Sequence, residues 1–155
     1  MTAESGLRRV MQPDAGWLVV DASVAAKWFL EENLSAQARG LLSAAEELLA
    51  PRIIIAELGN VLLKKVRLGE MQRASVDDAL DVFDLFVTLR PDDRVFYRAF
   101  AVALEHGRSF YDALYVALAL QEGCRFVTAD ERLVNALRPH FGETMVWLGD
   151  WPPNV

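Results

Sequence analysis

The chain has 155 residues, 53% of them hydrophobic and 25% charged, with one cysteine and a formal net charge of −6. That balance fits one globular domain able to bury its own core, and it excludes a disordered chain, an internal disulfide and a cysteine-built zinc cage. No apolar stretch approaches the roughly 20 residues that a bilayer span needs, and the first residues lack a signal-peptide core; the expectation is a soluble, cytoplasmic protein with no membrane partner.

Residues 1–16 are polar and aperiodic and read as a flexible N-terminal extension, 17–150 as the domain itself and 151–155 as a C-terminal tail. WLVVD at 17–21 is a short apolar run ending in an acid, which predicts a buried strand. Ser23 is placed to cap a helix from Val24 to about Leu30, in which Trp28, Phe29 and Leu30 form a bulky patch suited to the core or to a partner groove. A second helix is expected from Ser35, with Ala38, Leu41, Leu42, Ala45, Leu48 and Leu49 at helical spacing. Pro51 breaks the chain, and 53–68 reads as a third helix closed by Gly69.

Ser75 and Asp78 resemble a capping box for a helix whose apolar stripe is Val76, Ala79, Leu80, Phe83, Phe86 and Val87. Thr88 to Arg90 suits a short strand, 94–105 a helix stopped by Gly107, and 111–122 another ended by Gly123. Then come a strand at 125–129, a helix at 131–137 halted by Pro139, and a strand at 145–148. Strands alternating with helices imply an α/β domain whose parallel sheet is covered on both faces. Cys124 reads as a small packed residue, and His106 and His140, without motif context, as surface residues.

Several acids stand where a purely structural protein would not put them. Asp112 is the only charged residue in YDALYVALAL, and a lone buried carboxylate is costly unless it is paired or binds a cation. The ordinary alternatives are a carboxylate facing a helix N-terminus or a partner for a buried arginine. Glu57 lies on or beside the apolar side of its helix, with Ile53, Ile54 and Val61 as neighbours, although a solvated edge position explains it as well. Asn60, one turn on, is placed to orient Glu57 or to bond backbone.

Asp21 and Asp130 each follow a short apolar strand, at the edge where open parallel sheets bind ligands, though strand-end aspartates are also common helix caps. Ser23 and Thr128 add hydroxyls two residues from each. Four carboxylates without His or Cys make a hard-oxygen site that selects Mg²⁺ or Mn²⁺, and the chemistry that follows is phosphoryl transfer.

These blocks, VVDASV at 19–24, PRIIIAELGNVL at 51–62, SFYDALYVALAL at 109–120 and FVTADERL at 126–133, resemble PIN-domain ribonucleases, in particular the VapC-type toxins of VapBC toxin–antitoxin pairs. The resemblance runs from Trp17 to about Leu148 with all four blocks in order. It implies a three-layer α/β/α sandwich around a mainly parallel sheet of about five strands. It also implies metal-binding acids at Asp21, Glu57, Asp112 and Asp130, supported by the hydroxyls of Ser23 and Thr128. The implied activity is an Mg²⁺- or Mn²⁺-dependent endoribonuclease that leaves 3′-hydroxyl and 5′-phosphate ends. The implied partners are an RNA substrate, a cognate antitoxin, and a second copy in a homodimer or a toxin–antitoxin hetero-oligomer.

Two features depart from the pattern. Residues 1–16 precede the point where such toxins begin, and the negative charge leaves few cations for RNA. Arg108 and Arg132, beside Asp112 and Asp130, are the candidates for phosphate contact, with Lys64, Lys65 and Arg67 a second basic cluster. Of the rivals, an aspartyl phosphatase wants a second acid where Ser23 stands, and no phosphate-binding P-loop occurs. A non-catalytic PIN-like RNA-binding module would be expected to lack some of the acids. A metal-dependent DNA nuclease of related fold would need an arch or clamp for which this chain has no room.

Overall fold

A computed structural model describes residues 16–44 and 46–153. Five short apolar runs become strands: β1 (Trp17–Val20), β2 (Glu47–Pro51), β3 (Val87–Arg90), β4 (Arg125–Thr128) and β5 (Met145–Trp147). They pair in the order β3-β2-β1-β4-β5, and every pair is parallel. Parallel strands need crossovers, and helices supply them. Among the described residues these are α1 (Ala22–Ala26), α2 (Ser35–Gly40), α3 (Ile53–Arg67), α4 (Arg73–Phe86), α5 (Phe96–His106), α6 (Phe110–Glu122) and α7 (Glu131–Phe141). None is long and apolar enough to cross a membrane.

The central strand is the most enclosed. Leu18, Val19 and Val20 are buried, as are Phe126 and Val127 beside them on β4, so both faces of the sheet are covered. Helix α6 lies across β1, β2 and β4, with every residue from Ala113 to Ala119 buried, which is why it reads as apolar nearly all round. Gly107 (φ 62°) and Gly123 (φ 64°) close α5 and α6 in the left-handed conformation, where a side chain would be strained.

Several elements differ from the sequence expectation. The helix expected from Ser35 through Leu49 ends at Gly40; Leu41–Ser43 makes a 3₁₀ turn, and Leu48 and Leu49 belong to β2. A four-residue apolar run has the same look in a buried helix and a buried strand, and pairing with β1 and β3 decides it. Ala45 and residues 1–15 of the extension expected at 1–16 lie outside the described residues. Helix α4 starts at Arg73, with no side-chain cap from Ser75. Helix α7 runs through Pro139 to Phe141 instead of stopping before it.

Trp28 and Leu30 are core residues, and the Trp28 indole N–H donates to the Ala38 carbonyl at 2.8 Å, so they form no open partner patch. His106 is half-buried rather than fully exposed: its side chain is 15% exposed, and its ring packs 4.4 Å from that of His140, which is exposed. Cys124 is buried, and burial pushes its thiol up to about 12.

At the far edge, the Trp147 indole folds over Gly149, and a Cβ there would collide with the ring. Gly149→Ala is therefore expected to displace Trp147 and cost about 1–3 kcal/mol of stability, read as a lower Tm in thermal unfolding; an unchanged Tm would show that the ring swings away freely.

Candidate active site

From β1 the chain passes to β2 on one side, while β4 lies on the other. Open α/β sheets bind ligands in the crevice at such a switch, beyond the strands' carboxyl ends. Two of the four acids stand at that edge. Asp21 follows β1 in extended conformation (φ −105°, ψ 178°) and caps α1, its Oδ1 accepting from the Val24 N–H at 3.2 Å. The cap is thus Asp21 and not Ser23. The Ser23 hydroxyl instead donates to the same Oδ1 at 2.5 Å, and Thr128 at the end of β4 donates to Oδ2 at 2.5 Å.

The net continues across the sheet. Ser23 Oγ accepts from the Ala129 N–H at 3.2 Å, and Thr128 Oγ1 accepts from the Asp130 N–H at 3.1 Å. Asp130 caps α7 through Oδ1, which accepts from the Leu133 N–H at 3.1 Å, and is exposed. The two hydroxyls therefore tie β1 to β4 and hold the Asp21 carboxylate by both oxygens.

Burial, the largest cause, raises Asp21 from 3.8 to about 6; hydrogen bonds from Ser23, Thr128 and Val24 oppose it, and the Glu57 charge adds to the rise. Removing water from a carboxylate disfavours its charged form, and three donors do not repay the whole cost. Glu57, half-buried on α3, accepts a 2.6 Å hydrogen bond at Oε1 from the Tyr115 hydroxyl of α6. Burial first, then the bond to Glu57, pushes the Tyr115 phenol far upward, so it stays protonated and donates.

Asp112 sits in the first turn of α6, where Ser109 caps the helix by accepting from the Asp112 N–H at 3.1 Å. Burial raises its carboxyl above the usual range, the Asp130 charge raises it further, and the Arg108 charge and the Ser109 hydrogen bond lower it. Asp112 thus stands in a helix's first turn and feels the Arg108 charge, as the ordinary explanations require. Neither accounts for a second negative charge, that of Asp130, close enough to raise it.

The Glu57 charge is felt at Asp21 and the Asp130 charge at Asp112, and Thr128 bridges the Asp21 carboxylate to the Asp130 backbone N–H. Among the described residues no three His, Cys, Asp or Glu side chains stand close enough to make a ready cation cage. The donor chemistry nevertheless fits a hard divalent ion, which takes one or two carboxylates and completes its shell with water and phosphate. Such an ion would also offset the cost that burial imposes on ionised Asp21.

Asn60 is exposed on α3, and the hydrogen bond to Glu57 comes from Tyr115 instead. Arg108 is half-buried, with a buried Nε that has no hydrogen-bond partner among the described residues, whereas Arg132 is exposed. Lys65 of the second basic cluster is engaged by Glu70 at 2.8 Å and Glu32 at 3.7 Å. Tyr115 was not among the residues singled out from sequence. Its signal is a hydroxyl inside an otherwise aliphatic buried helix, because buried tyrosines seek a partner.

A family model for the PIN domain matches residues 18–137, a span that holds all four acids. Ribonuclease VapC3 of Pyrobaculum aerophilum is 37% identical over 119 residues, covering 75% of this chain and 91% of that protein. Ribonuclease VapC1 of Mycobacterium tuberculosis is 33% identical over 119 residues, covering 76% and 89%. A protein named Exonuclease VapC9 of Pyrobaculum aerophilum is 36% identical over 90 residues, covering 57% and 66%. The crystal structure of PAE2754 from Pyrobaculum aerophilum superposes with a TM-score of 0.65 at 26% identity, covering 88% of this chain and 87% of that one.

Proposed function

Since the chain belongs to the PIN-domain family, we propose that it is the ribonuclease toxin of a toxin–antitoxin pair, cutting RNA internally with Mg²⁺ or Mn²⁺ and leaving 3′-hydroxyl and 5′-phosphate ends. The observation that supports this reading best is a buried carboxylate, Asp21, at the switch point of a parallel sheet, held at both oxygens by hydroxyls and close enough to Glu57 to feel its charge. The relatives named ribonucleases support the substrate class.

In this reading Asp21, Glu57, Asp112 and Asp130 are the cation ligands. A bound divalent ion would supply activation of water and charge stabilisation at the phosphate. The chain's own groups do the positioning. Ser23 and Thr128 fix the Asp21 carboxylate, and the Asp130 carboxylate stays oriented by the Leu133 N–H. Arg108, with its unpaired Nε beside Asp112, takes the role of a phosphate contact, and exposed Arg132 a peripheral one. Asn60 is left with at most an outer role toward a ligand water.

The antitoxin and a second copy of the chain are the proposed protein partners. Support comes from α5, where Phe96, Tyr97, Phe100 and Leu104 are exposed around an apolar groove of about 420 Å³ completed by Phe110. Soluble monomers seldom leave such a patch open.

The test is incubation of the purified protein with total cellular RNA in Mg²⁺, Mn²⁺ or EDTA, with 5′-end mapping and a parallel DNA arm. The expected result is discrete internal cuts that require a divalent ion and spare DNA. Progressive shortening from one end would move the protein to the exonuclease class named for one relative. RNA retained on the protein without any cut would favour a binding module.

A further inference from the structure

The hydroxyl of Tyr115 has no role among those assigned so far, yet it is bonded to one acid of the site, Glu57. Its ring is 2% exposed and stacks on Phe126 of β4, centroids 5.5 Å apart and planes 11° from parallel. Phe126 lies two residues before Thr128, the donor to Asp21. The ring is therefore braced by β4, the strand whose last residue, Thr128, also holds Asp21. Its single proton goes to Glu57 Oε1 at 2.6 Å.

A glutamate has three side-chain torsions and two equivalent oxygens, and nothing in α3 itself chooses among their arrangements. One fixed donor on Oε1 removes most of that freedom and leaves Oε2 as the oxygen without this donor. We propose that Tyr115 is a positioning residue that selects the oxygen Glu57 offers to a divalent cation and thereby sets the protein's cation affinity. This rests on the reading of Glu57 as a cation ligand. Loss of such an outer partner typically weakens metal binding or activity 10–100-fold.

The experiment is Mn²⁺ titration of the full-length protein, followed by electron paramagnetic resonance of free Mn²⁺. It compares wild type, Tyr115→Phe, Glu57→Gln, their double variant, and Leu118→Val, which thins the same buried helix without a hydroxyl change. Tyr115→Phe keeps the ring and its stack and is expected to raise the Mn²⁺ Kd about tenfold or more, with RNA cleavage recovering toward wild type when Mn²⁺ is saturating. Because the tyrosine acts through Glu57, adding Tyr115→Phe to Glu57→Gln should cost nothing further, the signature of coupled residues. Leu118→Val should lower Tm while leaving Kd unchanged.

An unchanged Kd in Tyr115→Phe overturns the proposal, as does a loss that Leu118→Val reproduces or one that adds in full to that of Glu57→Gln. If Tyr115→Phe does not fold, the comparison of wild type with Glu57→Gln and Glu57→Asp decides: the shorter Glu57→Asp, withdrawn from the Tyr115 hydroxyl, should bind Mn²⁺ as poorly as Glu57→Gln, and wild-type-like binding by it overturns the proposal. Wild type binding no Mn²⁺ is a different failure, because it removes Glu57's assignment as a ligand together with everything built on it.

Discussion

Asp112→Asn is expected to abolish RNA cleavage, by more than about 100-fold in kcat/KM, while Tm stays level or rises. The substitution keeps the shape of the side chain, and the Ser109 cap is untouched because it accepts from the backbone N–H of residue 112. What it removes is one negative charge from a place where burial and Asp130 already oppose charge, which is why the fold should not suffer. In the proposed reading an RNA phosphate would bring further negative charge to the same place, and a cation held by ionised acids would offset it. Loss of an outer partner alone costs 10–100-fold, so loss of a ligand's charge should cost more. Cleavage kinetics at a mapped site together with thermal unfolding check both halves. A variant with wild-type kcat/KM would remove Asp112 from the site.

The second large effect is the exchange of pH dependence for metal dependence. In the metal-free protein Asp21 titrates at about 6 when folded against 3.8 as its ordinary value. Between those two pH values the folded chain still holds a proton that the unfolded chain has released, so stability falls as pH rises from about 4 to about 6 and the contribution is constant above that. The difference amounts to at most about 3 kcal/mol. In the proposed reading Mn²⁺ or Mg²⁺ would need the ionised carboxylate and would bind the folded chain, so its stabilisation should be small at pH 5 and large at pH 7.5. Differential scanning fluorimetry across that range, with and without EDTA, measures both trends. A Tm shift by Mn²⁺ that is independent of pH would mean that the ion binds away from Asp21.

Much of the candidate site is legible in the sequence because its acids stand within or directly after apolar runs. Asp112 is conspicuous in a helix buried from Ala113 to Ala119, and Asp21 and Asp130 follow runs that bury as strands. The helix ends at Gly107 and Gly123 were equally plain, since left-handed closure favours glycine. Strand β2 was hidden because ELLAP continues a helical spacing begun at Ala38, and only its neighbours in the sheet distinguish a strand from a helix there. The cap at α1 was misplaced by two residues because Asp21 and Ser23 are both good caps, and the choice depends on Thr128, far along the chain. Tyr115 went unnoticed because a tyrosine in an aliphatic helix resembles packing until its hydroxyl is traced to Glu57.

The bond from Thr128 to Asp21 joins residues 107 positions apart, and that separation has a consequence for biosynthesis. At roughly 5–20 residues per second of translation, on the order of 5–20 s passes between the appearance of the first of these residues and the second. During that time β1 has no β4 beside it, and the Asp21 carboxylate lacks one of its two hydroxyl donors. A ribosome making this chain therefore carries β1 and Asp21 without their β4 partner for that interval. Messages truncated before the Thr128 codon should yield fragments that show no RNA cleavage in the assay above.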